Sequence, residues 1–210
     1  LFIGTIMFIF LEYNHSLNSL NFKDKLIASF FQSTTARTAG YSTIHVQNQL
    51  DITKMLTMAL MFIGASPSST GGGIKTTTLF VIIVTVISVL RGHQDTTVGK
   101  HRLKKSIVYN SISIAVLSLL VIVFTIIILE TVEASKGFTS TDLIFEAVSA
   151  FGTVGLSSGI TPLLSNISKC ILCITMFAGR VGPMTLLISL TLRNSNKQDC
   201  ILPEGKIIVG

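Results

Sequence analysis

Charge is scarce in this sequence. Asp, Glu, Lys and Arg make up 12% of the 210 residues, hydrophobic residues make up 49%, and the mean hydropathy is +0.68. A soluble domain carries about twice that charged fraction, so the composition argues against one and points to an integral membrane protein. Cysteine is scarce too. Three residues, Cys170, Cys173 and Cys200, make no disulfide framework. Cys170 and Cys173 form a CxxC inside the apolar stretch CILCITMFAG, with no further ligands nearby, and read as lipid- or helix-facing rather than as zinc or redox ligands. The four histidines, His15, His45, His93 and His101, have no metal spacing and belong to no Ser-His-Asp set at one depth, which argues against an intramembrane enzyme.

The charge that exists is unevenly placed. The net charge of +6 could suit a nucleic-acid binder, but five of the 16 Lys and Arg fall in RGHQDTTVGKHRLKK (91–105), between two apolar runs. That clustering marks a cytoplasmic loop under the positive-inside tendency, with no nucleic acid as partner. The opening run LFIGTIMFIFLEY (1–13) is shorter than the roughly 20 residues of a bilayer crossing and lacks the basic start of a signal peptide. The expectation is a chain that begins inside a transmembrane helix, with its N-terminal portion missing.

The chain repeats itself. TAGYS (38–42) returns as TVGLS (153–157), and KMLTMALMFIG (54–64) returns as KCILCITMFAG (169–179), both 115 positions on. Each copy predicts an outgoing helix (1–13, truncated, and 107–129), a short helix (23–36 and 139–151), a glycine loop and a final helix, ending in the second copy at 167–193. Helices of about 13 residues are too short to span, so they fit re-entrant helices. Thr139 and Asp142 have the spacing of a capping pair. The fold expected is an all-α polytopic membrane protein of tandem helix–pore helix–helix units: 1–90, the basic loop 91–105, 106–193 and a cytoplasmic tail 194–210.

This arrangement suits cations. A re-entrant helix aims the negative end of its dipole at the membrane centre, and the loop after it presents carbonyl oxygens in place of the ion's water shell. Gly40 and Gly155 allow positive φ in such loops, and Thr38 and Thr153 add hydroxyl ligands. Neither loop offers a carboxylate ring for divalent ions. A pair of ordinary tight turns is the plainer reading, weakened because both loops follow matched short helices.

Between two hydrocarbon runs lies GASPSSTGGGIKTTT (64–78). Gly71, Gly72 and Gly73 each disfavour helix by about 1 kcal/mol relative to Ala, and Pro67 removes a backbone donor. Such a segment can switch between arrangements for a few kcal/mol. A phosphate-binding P-loop fails because Ile74 separates Gly73 from Lys75. A plain kinked helix is the other reading, with Lys75 snorkelling toward the cytoplasmic side. Arg180 is costly near mid-membrane and therefore a functional candidate by default, with an ion pair to Glu146 as the structural alternative. Arg37 reads as a brace for the first loop, with Glu146 as a possible partner.

FFQSTTARTAGYSTI (30–44), FIGASPSSTGGGIKTTT (62–78), FEAVSAFGTVGLSSGITP (145–162) and MFAGRVGPMTL (176–186) closely resemble the Ktr/Trk/HKT superfamily of cation transporters, above all the membrane subunits of bacterial Ktr systems. The resemblance spans almost the whole chain. It implies repeats three and four of a four-repeat pore in a bacterial cell membrane, with K+ as substrate and Na+ as a possible co-ion. It implies a filter at Thr38, Ala39, Gly40, Tyr41, Thr153, Val154, Gly155 and Leu156, with Ser42 and Ser157 where a potassium channel has its second glycine. It implies an intramembrane gate at Gly64, Ser66, Pro67, Ser69, Thr70, Gly71, Gly72, Gly73 and Lys75, and an electrostatic pore barrier at Arg180. The partners it implies are a second full-length subunit, a cytosolic nucleotide-binding RCK-type ring (KtrA-like) and membrane lipid; it implies no bound cofactor. The rival within transport is a complete two-repeat potassium channel working as a dimer. A non-conducting scaffold would leave the paired glycine loops unexplained.

Overall fold

The computed structural model describes residues 1–18, 20–67, 69, 71–92, 95–98 and 101–182. Among the described residues there are seven α-helices: α1 (Phe2–Glu12), α2 (Phe22–Thr35), α3 (Asp51–Phe62), α4 (Thr76–Leu90), α5 (Lys105–Glu133), α6 (Ser140–Gly152) and α7 (Asn166–Val181). The predicted short helices 23–36 and 139–151 correspond to α2 and α6. The predicted 107–129 lengthens to α5, whose 29 residues extend about 43 Å at the helical rise. Of the predicted 167–193, the part to Gly182 is described and forms α7; residues 183–193, the tail and Cys200 lie outside the described residues. The fold is all-α as expected; two-residue strands, β1 (Thr97–Val98) and β2 (His101–Arg102), pair antiparallel in the basic loop. There Arg102 also meets Asp95 at 2.9 Å.

Burial runs opposite to that of a soluble protein. Along α5, Ile112, Val116, Leu119, Leu120, Phe124 and Ile127 are exposed, while Ser111, Ser118 and Thr125 are buried. Small hydroxyl residues satisfy themselves on their own helix, as Ser118 does on Ile114 O and Thr125 on Val121 O, and so can sit between helices where backbones approach. Thr125 also meets Thr175 of α7 at 2.9 Å. Apolar side chains outside and small polar ones inside is the pattern expected when lipid is the solvent. Among the described residues α5 is the one helix long and apolar enough to cross a membrane, and α1 and α4 are shorter apolar helices.

The core sits around α6. Phe145, Val148 and Phe151 pack against Met61 of α3 and Ile122 of α5, while Leu143, Ala147 and Ala150 pack against Leu172 of α7. Glycine permits the closest approach: a Cβ on Gly179 would collide with the Phe151 carbonyl, which holds α7 backbone to backbone on α6.

The two copies correspond element by element. α3 and α7 begin 115 positions apart, and so do the 3-10 turns Val46–Asn48 and Thr161–Leu163 that lead into them. One correspondence escapes the sequence repeat. Buried Glu12, at the end of α1, accepts from the N–H of Leu50 at 3.0 Å; buried Glu133, at the end of α5, accepts from the N–H of Ser165 at 2.8 Å. Leu50 and Ser165 are the N-caps of α3 and α7, so each carboxylate sits where a helix dipole favours negative charge.

Candidate ion pathway

The C-terminal ends of α2 and α6 each deliver the chain into a glycine loop with the same backbone. Thr38 and Thr153 adopt left-handed φ values of 66° and 51°, and Gly40 and Gly155 follow at 76° and 91°. A β-branched residue in this region is a genuine outlier. The loop amides fold back on the helix end: Ala39 N–H donates to Thr35 O at 3.2 Å, and Val154 N–H donates to Ser149 O at 3.0 Å. Side-chain hydroxyls fasten the far side, Thr35 to the Tyr41 carbonyl and Ser149 to the Leu156 carbonyl, the latter at 2.5 Å. The two loops meet. A Cβ on Gly40 would collide with the Val154 carbonyl and stand 3.6 Å from the Gly155 Cα. Beside them a cleft of about 200 Å³ is lined by Gly40, Ser42, His45, Gln47, Gly155 and Ser157 among others.

The loops differ in their surroundings. Val154 and Leu156 are buried, whereas Ala39 and Tyr41 are exposed, Tyr41 at 74%. The second loop is backed by α3 of the first copy, whereas among the described residues α2 packs chiefly on α1.

Glu146 braces the second loop from behind. Its carboxylate accepts from the Ser157 hydroxyl at 2.5 Å, the Ser158 N–H at 3.1 Å and the Thr161 hydroxyl at 2.9 Å. It is therefore spent on the loop, and forms no ion pair with Arg37 or Arg180 among the described residues. Arg180 lies exposed in the last turn of α7, and the Arg37 Nε is buried without a hydrogen-bond partner among the described residues. The capping pair expected at α6 also fails. Thr139 is its N-cap but makes no side-chain cap bond, and Asp142 instead accepts from Lys54 Nζ at 2.9 Å.

Between α3 and α4 the helix is broken, as the glycines and Pro67 predict. Residues 63–75 hold themselves by Ile74 N–H to Phe62 O (3.1 Å), Thr76 N–H to Ala65 O (3.4 Å) and Ser69 N–H to Ser66 O (3.2 Å). Thr70 of this segment lies outside the described residues. Lys75 does not snorkel away: its Nζ turns back to the carbonyls of Ser69 (2.9 Å) and Gly71 (2.8 Å), tying the segment into a closed loop. That loop rests on the two threonines. The Gly72 N–H donates to Thr153 Oγ1 at 3.0 Å, and a Cβ on Gly71 would stand 2.8 Å from Thr38 Oγ1. Gly71 and Gly72 are glycines because nothing larger fits between the broken helix and the paired loops. Sequence reasoning found both segments but not this junction, since residues 81 positions apart share no periodicity.

Two short helices that end on facing glycine loops give this chain an all-α fold shared with a solved transporter. The match to the solved potassium transporter TrkH of Vibrio parahaemolyticus carries that fold assignment: TM-score 0.75, 20% identity, 93% of this chain and 43% of that one. The family described as TrkH, cation transport protein, matches residues 2–198, and this chain belongs to it, a family of transporters and not of enzymes. Among curated relatives, the chain is 38% identical to Ktr system potassium uptake protein B of Bacillus subtilis (95% of this chain, 44% of that protein). It is also 38% identical to Ktr system potassium uptake protein D of the same organism (99% and 45%), and 34% identical to the potassium/sodium uptake protein NtpJ of Enterococcus hirae (99% and 47%). The chain thus spans less than half the length of these relatives.

Proposed function

We propose that this chain forms two of the four helix–pore helix–helix repeats of the membrane subunit of a bacterial potassium-uptake system, repeats three (1–90) and four (106–193). The observation that carries the reading is the matched pair of loops, each a left-handed threonine and a glycine after the C-terminal end of a short helix, meeting at Gly40 and Gly155. Helix dipoles and loop carbonyls there favour a dehydrated alkali cation. Residues Thr38 to Tyr41 and Thr153 to Leu156 line the filter, with K+ as cargo and Na+ as a co-ion. The Tyr41 and Leu156 carbonyls are held from behind by hydroxyls, which leaves fewer free oxygens for ions than a potassium-channel filter has.

The break at 63–75 is the gate. Its support is the contact of Gly71 and Gly72 with Thr38 and Thr153. Arg180 adds a positive barrier in the same pore. The whole subunit works as a homodimer in the cell membrane, with the basic loop 91–105 and the tail 194–210 toward a cytosolic RCK-type ring.

Rubidium uptake in a bacterium stripped of its own potassium uptake tests this reading. The full-length gene restores uptake and potassium-limited growth, and the 210-residue segment alone does not. Robust uptake by the segment alone would establish the rival, a two-repeat channel that dimerises.

A further inference from the structure

Lys54 is a charged residue almost enclosed, its side chain 9% exposed; its Nζ lies 2.9 Å from Asp142 Oδ1, itself 19% exposed, and 3.8 Å from Asp51 of its own helix, which is 70% exposed. The register of this pair is informative. Lys54 is the fourth residue of α3 and Asp142 the third of α6, so the clasp runs from the second spanning helix of one copy to the short helix of the next. A lysine so enclosed needs a fixed anionic partner, because an unpaired charge there is costly.

Each copy carries both halves of the clasp. Lys169 is the fourth residue of α7, 115 positions after Lys54, and Asp24 is the third residue of α2 as Asp142 is of α6, three positions earlier than the 115-residue repeat would place it. In this chain neither finds the matching partner. Lys169 falls back on the Pro162 carbonyl at 3.0 Å in an exposed contact, and Asp24 is exposed and makes no ion pair among the described residues. Lys54 takes the carboxylate of the next copy.

We propose that Lys54–Asp142 is one of a ring of equivalent clasps, and that Lys169 and Asp24 are its two open ends. Both are docking points for the polypeptide that precedes residue 1 in the whole subunit. Lys169 takes an acidic side chain from the first turn of that segment's first short helix. Asp24 takes a lysine or arginine from the first turn of the spanning helix just before this chain. This rests on the four-repeat reading. The occupant is argued from charge complementarity at both ends and from relatives more than twice as long as the matched region. A second copy of this chain could instead offer Asp24 to Lys169, which is the outcome the test must exclude.

The test is a charge-reversal series on the purified full-length subunit, read by thermal melting in detergent and separately by rubidium uptake. Lys54→Glu lowers the melting temperature by several degrees, and adding Asp142→Lys restores it, which calibrates the clasp. Lys169→Glu, and more mildly Lys169→Gln, lowers it too, and Lys169→Glu is restored by reversing the first-turn acid of the first short helix. The proposal is overturned if that helix has no acid in its first turn, if reversing it restores nothing, or if Asp24→Lys restores Lys169→Glu. Melting does not depend on transport, so absence of uptake by the unaltered subunit would count against the potassium reading and leave the clasp to be judged on its own.

Discussion

At the scale of single residues, the loops keep strain that a different choice of residue would remove. A threonine in the left-handed region costs roughly 1–2 kcal/mol, and glycine there costs almost nothing. Thr153 nevertheless stands at φ 51°, with its hydroxyl accepting from Gly72. Strain retained at a site points to a side chain in use. Replacing Thr153 by Gly is therefore expected to leave the melting temperature of the full-length subunit unchanged or raised, while rubidium uptake loses selectivity over sodium; unchanged selectivity would assign the threonine to packing alone. Glu146 makes a second residue-scale case. Its three acceptor bonds fix the loop from Ser157 to Thr161, and Gln at this position turns an amide NH2 toward groups that themselves donate. Glu146→Gln should lower uptake more than it lowers the amount of subunit in the membrane, measured as rubidium flux per molecule by quantitative blotting.

At the scale of elements, the break in the helix is the part that predicts most. Lys75 pins the carbonyls of Ser69 and Gly71, and Gly72 seats the loop on Thr153. Lys75→Met removes the two charge-assisted bonds, each worth about 1.5–3 kcal/mol, and the loop should populate open arrangements more often. Gly72→Ala acts from the other side, since its Cβ would stand 2.6 Å from Thr153 Oγ1 and 2.9 Å from the Gly152 carbonyl. Both variants are expected to raise resting rubidium leak through proteoliposomes several-fold; reduced or unaltered leak in both would remove 63–75 from the gating account. The elements themselves were largely legible in the sequence, because glycine runs, Pro67 and a 115-residue repeat are local or periodic signals. Glu12 and Glu133 were not legible. They occupy matching places but lie 121 positions apart, since the connection from α1 to α2 is longer than that from α5 to α6. Asp142 misled for a related reason: its spacing from Thr139 is that of a cap, and a buried lysine 88 positions away outcompetes the local bond.

At the scale of the whole molecule, burial contrasts the two loops. Val154 and Leu156 have the first copy behind them, while Ala39 and Tyr41 stand open, as expected of consecutive sectors in a ring that other sectors complete. The same asymmetry explains why the glycine loops could be found from sequence while their surroundings could not: repeats register inside one chain, and half of the proposed pore lies outside it. The central claim is that the facing glycines form a cation filter. Its most direct test is the ratio of rubidium to sodium flux in proteoliposomes holding the full-length subunit, compared between the unaltered protein, Gly155→Ser and Gly137→Ser. Both glycines have positive φ, 91° and 67°, but among the described residues no atom stands within 4 Å of where a Cβ on Gly137 would lie, at the turn before α6, the opposite end of that helix from the loop. The expected result is a ratio reduced at least about tenfold by Gly155→Ser, equivalent to about 1.4 kcal/mol of lost discrimination, and unchanged by Gly137→Ser. An unchanged ratio in a well-folded Gly155→Ser subunit would contradict it.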